Sequence, residues 1–191
     1  NVDTLKALAD RVASLGVERF VLDDGWFKGR RGDYAGLGDW TVDYAIYPDG
    51  LSPIIDHVNS LGMEFGIWFE PEMVNPDSDL YRAHPDWVLQ TEGNDQLQFR
   101  NQLVLDLTRQ EVVDYLFKCI DDILNEYAST RYIKWDMNRD ITHAGNALGK
   151  PAVSAQTHAL YTLIEYLREA HTDVDNEKSA ARDEGLDTGL V

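Results

Sequence analysis

Residues 132 to 140 read YIKWDMNRD, and this stretch decides the fold class. Tyr132 and Ile133 open it as an apolar β-strand, whereas Lys134 and Asp136 follow two residues apart. Because side chains alternate between the two faces of a strand, both charged groups fall on one face near its carboxyl-terminal end. Polar groups collected at that end are typical of parallel α/β enzymes, whose sites form where strands meet their loops.

Two earlier stretches have the same layout, because LDDGW at 22–26 and WFEPE at 68–72 each follow a short apolar run with acids and an aromatic residue. Helical periodicity predicts helices at 3–15, 52–62, 109–127 and about 155–170, with Asp3 and Thr108 as N-caps of the first and third. Strands are predicted at 17–22 and 63–73, at 102–108 and from 132.

This alternation of helices and strands predicts parallel strands joined by helical crossovers. Either an open doubly wound sheet or a (β/α)8 TIM barrel satisfies it. No glycine-rich phosphate loop of the GxGxxG or GxxxxGK[ST] type follows a strand, so the nucleotide-binding sheet lacks its best marker. Acids at three strand ends favour the barrel.

Composition predicts one domain over residues 1–191, ending in an atypical charged tail at 171–191. The hydrophobic content of 43% is that of a globular protein, and no apolar run is long enough for a membrane span. The formal net charge of −17 disfavours nucleic acid and anionic membranes as partners, so a neutral ligand is expected. An acidic, lysine-poor chain fits a salt-adapted source or an acidic mesophile.

The residues at the strand ends suit carbohydrate chemistry, in which two carboxyl groups carry out the reaction. Asp136 is the candidate nucleophile or base, with the Lys134 ammonium beside it. The face of Trp68 could pack against the apolar face of a sugar ring. Asp23 and Asp24 offer acceptors for sugar hydroxyl groups, and Arg100 offers a donor fork. The list of candidates is therefore Asp23, Asp24, Trp68, Arg100, Lys134 and Asp136.

Simpler interpretations stay open for each of these residues. A strand-end aspartate can cap a helix, Trp68 can be a core residue, and Lys134 with Asp136 can form a structural ion pair. A Mg²⁺ or Mn²⁺ site is a further alternative, with Asp23, Asp24, Glu70, Glu72 and Asp136 as oxygen ligands. The histidines lack the spacing of zinc ligands, and we expect neither a metal nor a cofactor.

Longer motifs then occur in a fixed order: LDDGWF, GLGDW, FGIWFEPEMVNPDSDLYRAHPDWVL, RNQLVLDLTR and YIKWDMNRD. Together they resemble the α-galactosidases of glycoside hydrolase family 36. The resemblance implies a TIM barrel and a retaining mechanism that releases terminal α-linked galactose from melibiose or raffinose. It also implies that the strand at 102–108 is an extra segment outside the barrel.

Carried over to this sequence, the resemblance makes Asp136 the nucleophile, which would form a covalent galactosyl-enzyme. It implies sugar-binding roles for Asp23, Asp24, Trp68, Arg100, Lys134 and Asn138. It further implies a homotetramer in a bacterial or archaeal cytoplasm.

The chain departs from the family pattern near its end, where EKSAARDEGLD at 177–187 replaces a glycine-rich segment. No acid/base residue is identifiable, since Asp183 and Asp187 do not fit the family motif. We therefore expect an incomplete barrel without its first and last strands, and little turnover from the chain alone. The alternatives are a truncated, inactive sugar-binding fragment and a related α-N-acetylgalactosaminidase or galactosyl transferase.

Overall fold

The structure, a computed structural model, describes residues 1–91 and 93–180 of the chain. None of the helices in these ranges is long and apolar enough to cross a membrane. In chain order the elements are α1 (Val2–Ala13), β1 (Arg19–Leu22), α2 (Ser52–Ser60), β2 (Glu64–Phe69), β3 (Met73–Val74), α3 (Asp79–Ala83), a 3-10 turn (Pro85–Trp87), β4 (Leu103–Val104), α4 (Gln110–Glu126), β5 (Thr130–Met137), α5 (Val153–Ala170) and β6 (Asp175–Ala180).

Four of the strands form one parallel sheet in the order β1-β2-β5-β6. Strand β2 is joined to β1 through α2, β5 to β2 through α4, and β6 to β5 through α5. Parallel neighbours need such long crossover connections, because a tight turn can only reverse the chain. The predicted parallel strands with helical crossovers are confirmed, and the sheet order follows the chain order, as in a barrel.

Strand β5 shows how the two faces of the sheet differ. Ile133 and Trp135 are fully buried in the apolar core, together with the apolar stripe of α4. Lys134 and Asp136 alternate with them and are half-buried. The helices thus cover one face of β5, while the opposite face carries the charged groups that the sequence places there.

A second, two-stranded sheet lies outside the parallel one. Strands β3 and β4 pair antiparallel, with Met73 opposite Val104 and Val74 opposite Leu103. This arrangement confirms that the apolar run near residue 104 is an extra segment. It leaves the chain between β2 and α4 as one long excursion on the carboxyl-terminal side of the parallel strands.

Two of the predicted helix caps are wrong by one or two residues. The N-cap of α1 is Asn1, whose side chain accepts a hydrogen bond from the Thr4 amide at 2.9 Å, while Asp3 lies in the first turn. The N-cap of α4 is Arg109, without a side-chain bond to the helix. Thr108 instead donates its hydroxyl to Asp106. Short polar residues satisfy each other locally in such turns, and sequence alone does not rank the choices.

Within the atypical charged tail expected at 171–191, strand β6 extends the parallel sheet beyond β5. Two of its polar side chains have partners on other strands of the same sheet. Asp175 pairs with Arg19 at 2.9 Å, and Glu177 accepts a hydrogen bond from the Tyr132 hydroxyl. A strand with polar partners shows no apolar alternation, so periodicity does not reveal it. The rest of the expected tail, with Asp183 and Asp187, lies outside the described residues.

Candidate active site

Asp136 is held in one orientation at the carboxyl-terminal end of β5. Its Oδ2 accepts hydrogen bonds from Trp68 Nε1 at 3.1 Å and from Asn138 Nδ2 at 2.7 Å. Its Oδ1 accepts from the Met137 amide at 2.9 Å. The carboxyl group remains half-buried rather than closed off. An oriented carboxylate that a ligand can still approach has the form that a nucleophile or a base requires.

Lys134 lies beside this group and pairs across the sheet with Asp23, just past the end of β1. Its Nζ is 2.7 Å from Asp23 Oδ2, and both side chains are partly exposed. The hydrogen bond to Asp23 raises the pKa of Lys134, and the charge of Asp136 adds to the effect. The ammonium therefore stays protonated, and it links the ends of β1 and β5 across β2.

Asp24 is oriented by a different cation. Arg30 is almost fully buried and grips both carboxylate oxygens, with Nε to Oδ1 at 2.8 Å and Nη2 to Oδ2 at 3.0 Å. The same guanidinium also donates to Asn75 Oδ1 at 3.2 Å. A bidentate pair fixes a carboxylate more strictly than a lysine can. Sequence reasoning selected Asp24 but missed Arg30, although it follows only six residues later.

Trp68 corrects one expectation, because only 2% of its surface is exposed. Phe27 stacks against it with an interplanar angle of 9°, and Trp26 Nε1 donates to its carbonyl at 2.8 Å. Its ring face is therefore covered by the aromatic core, and it is not an open platform for a sugar ring. Its contact with the site is the indole N–H that it donates to Asp136.

Arg100 is not joined to the other candidates by any hydrogen bond or ion pair among the described residues. It is exposed, and it shares a left-handed turn with Asn101, with φ angles of 53° and 59°. The backbone of this turn is anchored close to the site. Asn75 donates to the Asn101 carbonyl at 2.8 Å, and the buried Arg139 donates to the carbonyls of Leu97 and Gln102.

Glu70 is a site residue to which sequence reasoning gave no role except as a metal ligand. It follows β2 directly and is 1% exposed. Its Oε1 accepts from the Asn138 amide at 2.6 Å, and its Oε2 accepts from Gln102 Nε2 at 3.1 Å. The pKa of Glu70 is raised to about 7, mainly because the group is buried. The charge of Asp136 also raises this pKa, whereas hydrogen bonds from Asn138 and the charge of Arg30 lower it.

The five carboxyl groups considered as metal ligands are directed to different partners. Asp23 faces Lys134, Asp24 faces Arg30, and Glu72 accepts from Trp135 Nε1 at 3.1 Å. Within residues 1–91 and 93–180, no group of three or more acidic, histidine or cysteine side chains is placed to hold a metal ion. The arrangement therefore gives no support to the divalent-metal alternative.

Comparisons with known proteins agree with this geometry. The Melibiase family matches residues 1–191. An alpha-galactosidase of Escherichia coli is 52% identical over 181 residues, which are 95% of this chain and 25% of that protein. The crystal structure of the GH36 alpha-galactosidase AgaB from Geobacillus stearothermophilus aligns with a TM-score of 0.88 and 40% identity, over 94% of this chain and 25% of the other. A variant of AgaA from the same organism, solved in complex with stachyose, aligns over 94% of this chain and 26% of the other, with a TM-score of 0.87 and 38% identity.

Consecutive parallel β/α units, in chain order and with polar groups at the strand ends, are the architecture of a TIM-barrel domain. Within that class, the chain belongs to the Melibiase family. It spans about a quarter of the length of the relatives that it matches. The four parallel strands are thus a segment of a TIM barrel, as the sequence predicted.

Proposed function

We propose that this chain supplies the nucleophile half of a retaining α-galactosidase site, with Asp136 as the nucleophile. The observation that carries the proposal is the set of donors that fixes Asp136 at the end of β5, from Trp68, Met137 and Asn138. A retaining glycosidase needs such a carboxylate on one side of the glycosidic bond.

In the first step, a carboxylate oxygen of Asp136 forms a bond to the anomeric carbon while the bond to the glycosidic oxygen breaks. The leaving oxygen takes a proton from a second carboxyl group, which in retaining enzymes lies about 5 to 5.5 Å from the nucleophile. Glu70 does not fit that role, because it is buried and both its oxygens already accept hydrogen bonds from the protein. Water then releases the sugar from the covalent galactosyl-enzyme.

Most of the remaining candidates would bind the hydroxyl groups of the galactosyl residue. Lys134 and Asp23 form a partly exposed pair of donor and acceptors, and Asp24 offers a carboxylate that Arg30 holds in place. Asn138 and Trp68 would act by orienting Asp136, to which both donate hydrogen bonds, whereas the exposed Arg100 would offer donors to the sugar. The proposed substrates are melibiose, raffinose and similar oligosaccharides with terminal α-linked galactose. The complex of the AgaA variant with stachyose supports this class.

A second candidate is a sugar-binding chain without turnover. It is favoured by one observation, namely that no described residue supplies the proton donor that the mechanism needs. Titration calorimetry of galactose into the 191-residue chain tests it, since binding without hydrolysis of p-nitrophenyl α-galactoside is the expected result for that function.

Covalent trapping tests the nucleophile directly. A 5-fluoro-α-galactosyl fluoride carries a leaving group that needs no protonation, so labelling depends on the nucleophile and not on the acid. We expect mass spectrometry of the complete natural protein that carries this chain to find the label on Asp136. Asp140→Asn, an exposed position on the same loop, should label normally. Label on another residue would refute the assignment.

The substrate class needs its own comparison. Hydrolysis of α-galactosides should exceed hydrolysis of 2-acetamido-2-deoxy analogues, and water should be preferred over sugars as the acceptor. The opposite results would identify an α-N-acetylgalactosaminidase or a galactosyl transferase.

The family resemblance also leads us to propose a homotetramer in the cytoplasm of its source. Light scattering coupled to size exclusion, together with cell fractionation, tests both parts of this proposal.

A further inference from the structure

We propose that Glu70 is a positioning residue for the nucleophile, acting on Asp136 through Asn138. The inference rests on the proposed function, because it assigns Glu70 to the reaction of that site. Asn138 is the connecting residue: its backbone amide donates to Glu70, and its side chain donates to Asp136. The end of β2 therefore sets the position of a group that holds a carboxylate at the end of β5.

Glu70 also connects this pair to the excursion that carries Arg100. Gln102 donates its side-chain amide to Glu70 Oε2, while its backbone carbonyl accepts from Arg139, the residue after Asn138. The carboxyl group of Glu70 thus bridges two segments far apart in sequence. If it were removed, the partly buried Asn138 amide would lose its acceptor, and both loops would lose a common support.

Glu70 itself cannot reach a substrate. Its side chain is 1% exposed, and each carboxyl oxygen already has a protein donor. Any effect that it has on catalysis must therefore pass through Asn138 or through its charge. This separates a positioning role from that of a group that touches the sugar.

The charge of Glu70 gives a signature that a purely structural role would not produce. Two charged groups face it: Asp136, whose charge raises the pKa of Glu70, and Arg30, whose charge lowers it. The Asp136 carboxylate loses its negative charge when it becomes an ester. If Glu70 is charged, this removes the repulsion between the two carboxylates and so favours ester formation. Formation of the covalent intermediate should therefore become faster as the pH rises through about 7, where Glu70 ionises.

Glu70→Gln preserves the geometry and removes the charge. The new amide oxygen can accept from Asn138, and the new NH2 group would face Gln102. The Gln102 Oε1 is buried and has no hydrogen-bond partner in the structure, so a flip of that amide supplies the acceptor. We therefore expect this variant to fold. Glu70→Ala removes both hydrogen bonds.

The experiment measures the rate of inactivation by 5-fluoro-α-galactosyl fluoride between pH 5.5 and 8.5 in the complete natural protein that carries this chain. The wild type should accelerate by about tenfold or less across pH 7. Glu70→Gln should still be labelled, but its inactivation rate should not rise across pH 7. Inactivation of Glu70→Ala should be slower by roughly 10- to 100-fold at every pH. The control is Glu72→Gln, which changes a buried carboxyl group that accepts from Trp135 instead.

The proposal would be overturned if the inactivation rate of Glu70→Gln still rose across pH 7 as in the wild type. It would also be overturned if Glu72→Gln lost this rise as completely as Glu70→Gln does. A failure of the proposed function would differ from both outcomes, because Asp136 of the wild type would then carry no label at any pH. If Glu70→Ala does not fold, Glu70→Asp takes its place, because it keeps the charge and withdraws the carboxyl group from the Asn138 amide. Labelling of Glu70→Asp at the wild-type rate would overturn the positioning role.

Discussion

Two tryptophan–carboxylate hydrogen bonds of equal length lie at the ends of the same two strands, and they differ in what surrounds them. Trp68 of β2 donates to Asp136 of β5 at 3.1 Å, and Trp135 of β5 donates to Glu72, just past β2, also at 3.1 Å. Glu72 and Trp135 are closed within the core, whereas Asp136 remains half-buried. The same bond therefore completes the core in one place and orients a reactive group in the other.

The largest effect should follow from removing the carboxylate of the open pair. In the complete natural protein that carries this chain, we expect Asp136→Ala to lower kcat/KM for an α-galactoside on the order of 10⁴-fold or more, because the nucleophile is lost. Added azide should restore turnover and give a β-galactosyl azide, since a small anion can fill the gap. Glu72→Gln should keep activity within about tenfold of the wild type while it lowers the melting temperature. Equal losses of activity in the two variants would erase the distinction between the pairs.

A second prediction concerns Glu70, which lies between Trp68 and Glu72 in the sequence. Because the folded-state pKa of Glu70 is raised to about 7, the folded protein holds this proton more tightly than the unfolded chain does. Its contribution to stability is therefore present at low pH and is lost as the pH rises from about 4.5 to 7. The loss amounts to roughly 3 kcal/mol at most.

Urea unfolding at pH 5 and pH 8 measures this dependence. From pH 5 to pH 8, the free energy of unfolding should fall less, or rise more, in Glu70→Gln than in the wild type. Other groups titrate in both proteins, so the difference between them isolates Glu70. An identical pH dependence would show that Glu70 is not protonated in the folded state near neutral pH.

The two tryptophans give a smaller and more specific contrast. Trp68→Phe keeps an aromatic ring but removes the donor to Asp136, so kcat/KM should fall roughly 10- to 30-fold, about 1.5 to 2 kcal/mol. Trp135→Phe removes one donor from the buried Glu72, so it should lower the free energy of unfolding by about 1 to 2 kcal/mol with kcat/KM nearly unchanged. Steady-state kinetics and urea unfolding of both variants check the pair. The contrast fails if folded Trp135→Phe loses as much activity as Trp68→Phe.

The smallest effect should be that of Asp23→Asn on stability. The pair of Asp23 with Lys134 is partly exposed, so its loss should cost less than about 1 kcal/mol, and less still in high salt. If Asp23 binds galactose, KM should rise even though stability hardly changes. An unchanged KM would mean that Asp23 does not bind galactose and serves only as the ion-pair partner of Lys134.

Strand periodicity made part of the site predictable. The two-residue spacing of Lys134 and Asp136 and the acids after β1 require only local rules, and the structure places them as expected. The environment of Trp68 was not predictable, because its burial depends on Phe27 and Trp26 from another loop. The hydrogen bond between Glu70 and Asn138 was not predictable either, because its donor is a backbone amide, which every residue type except proline offers.

The fold shows the same limit. Amphipathic helices and apolar strands were found from their periods, and the parallel order followed from their alternation. Strand β6 was missed because Asp175 and Glu177 satisfy their polar groups through Arg19 and Tyr132. This strand lacks the alternation of apolar residues that marks other strands. Its side chains pair with residues far away in the sequence, and such pairs are visible only in the folded structure.

The antiparallel pair of β3 and β4 has a consequence for how the protein could be altered. It joins the two ends of residues 75 to 102 at Val74 and Leu103, while the four parallel strands keep a register of their own. Because the entropy of closing a loop grows only slowly with its length, the segment should tolerate an insertion at its exposed positions 93–95, away from Asn75 and Gln102, which contact the site. Such an insertion would change the loop that carries Arg100 and leave the four parallel strands in place.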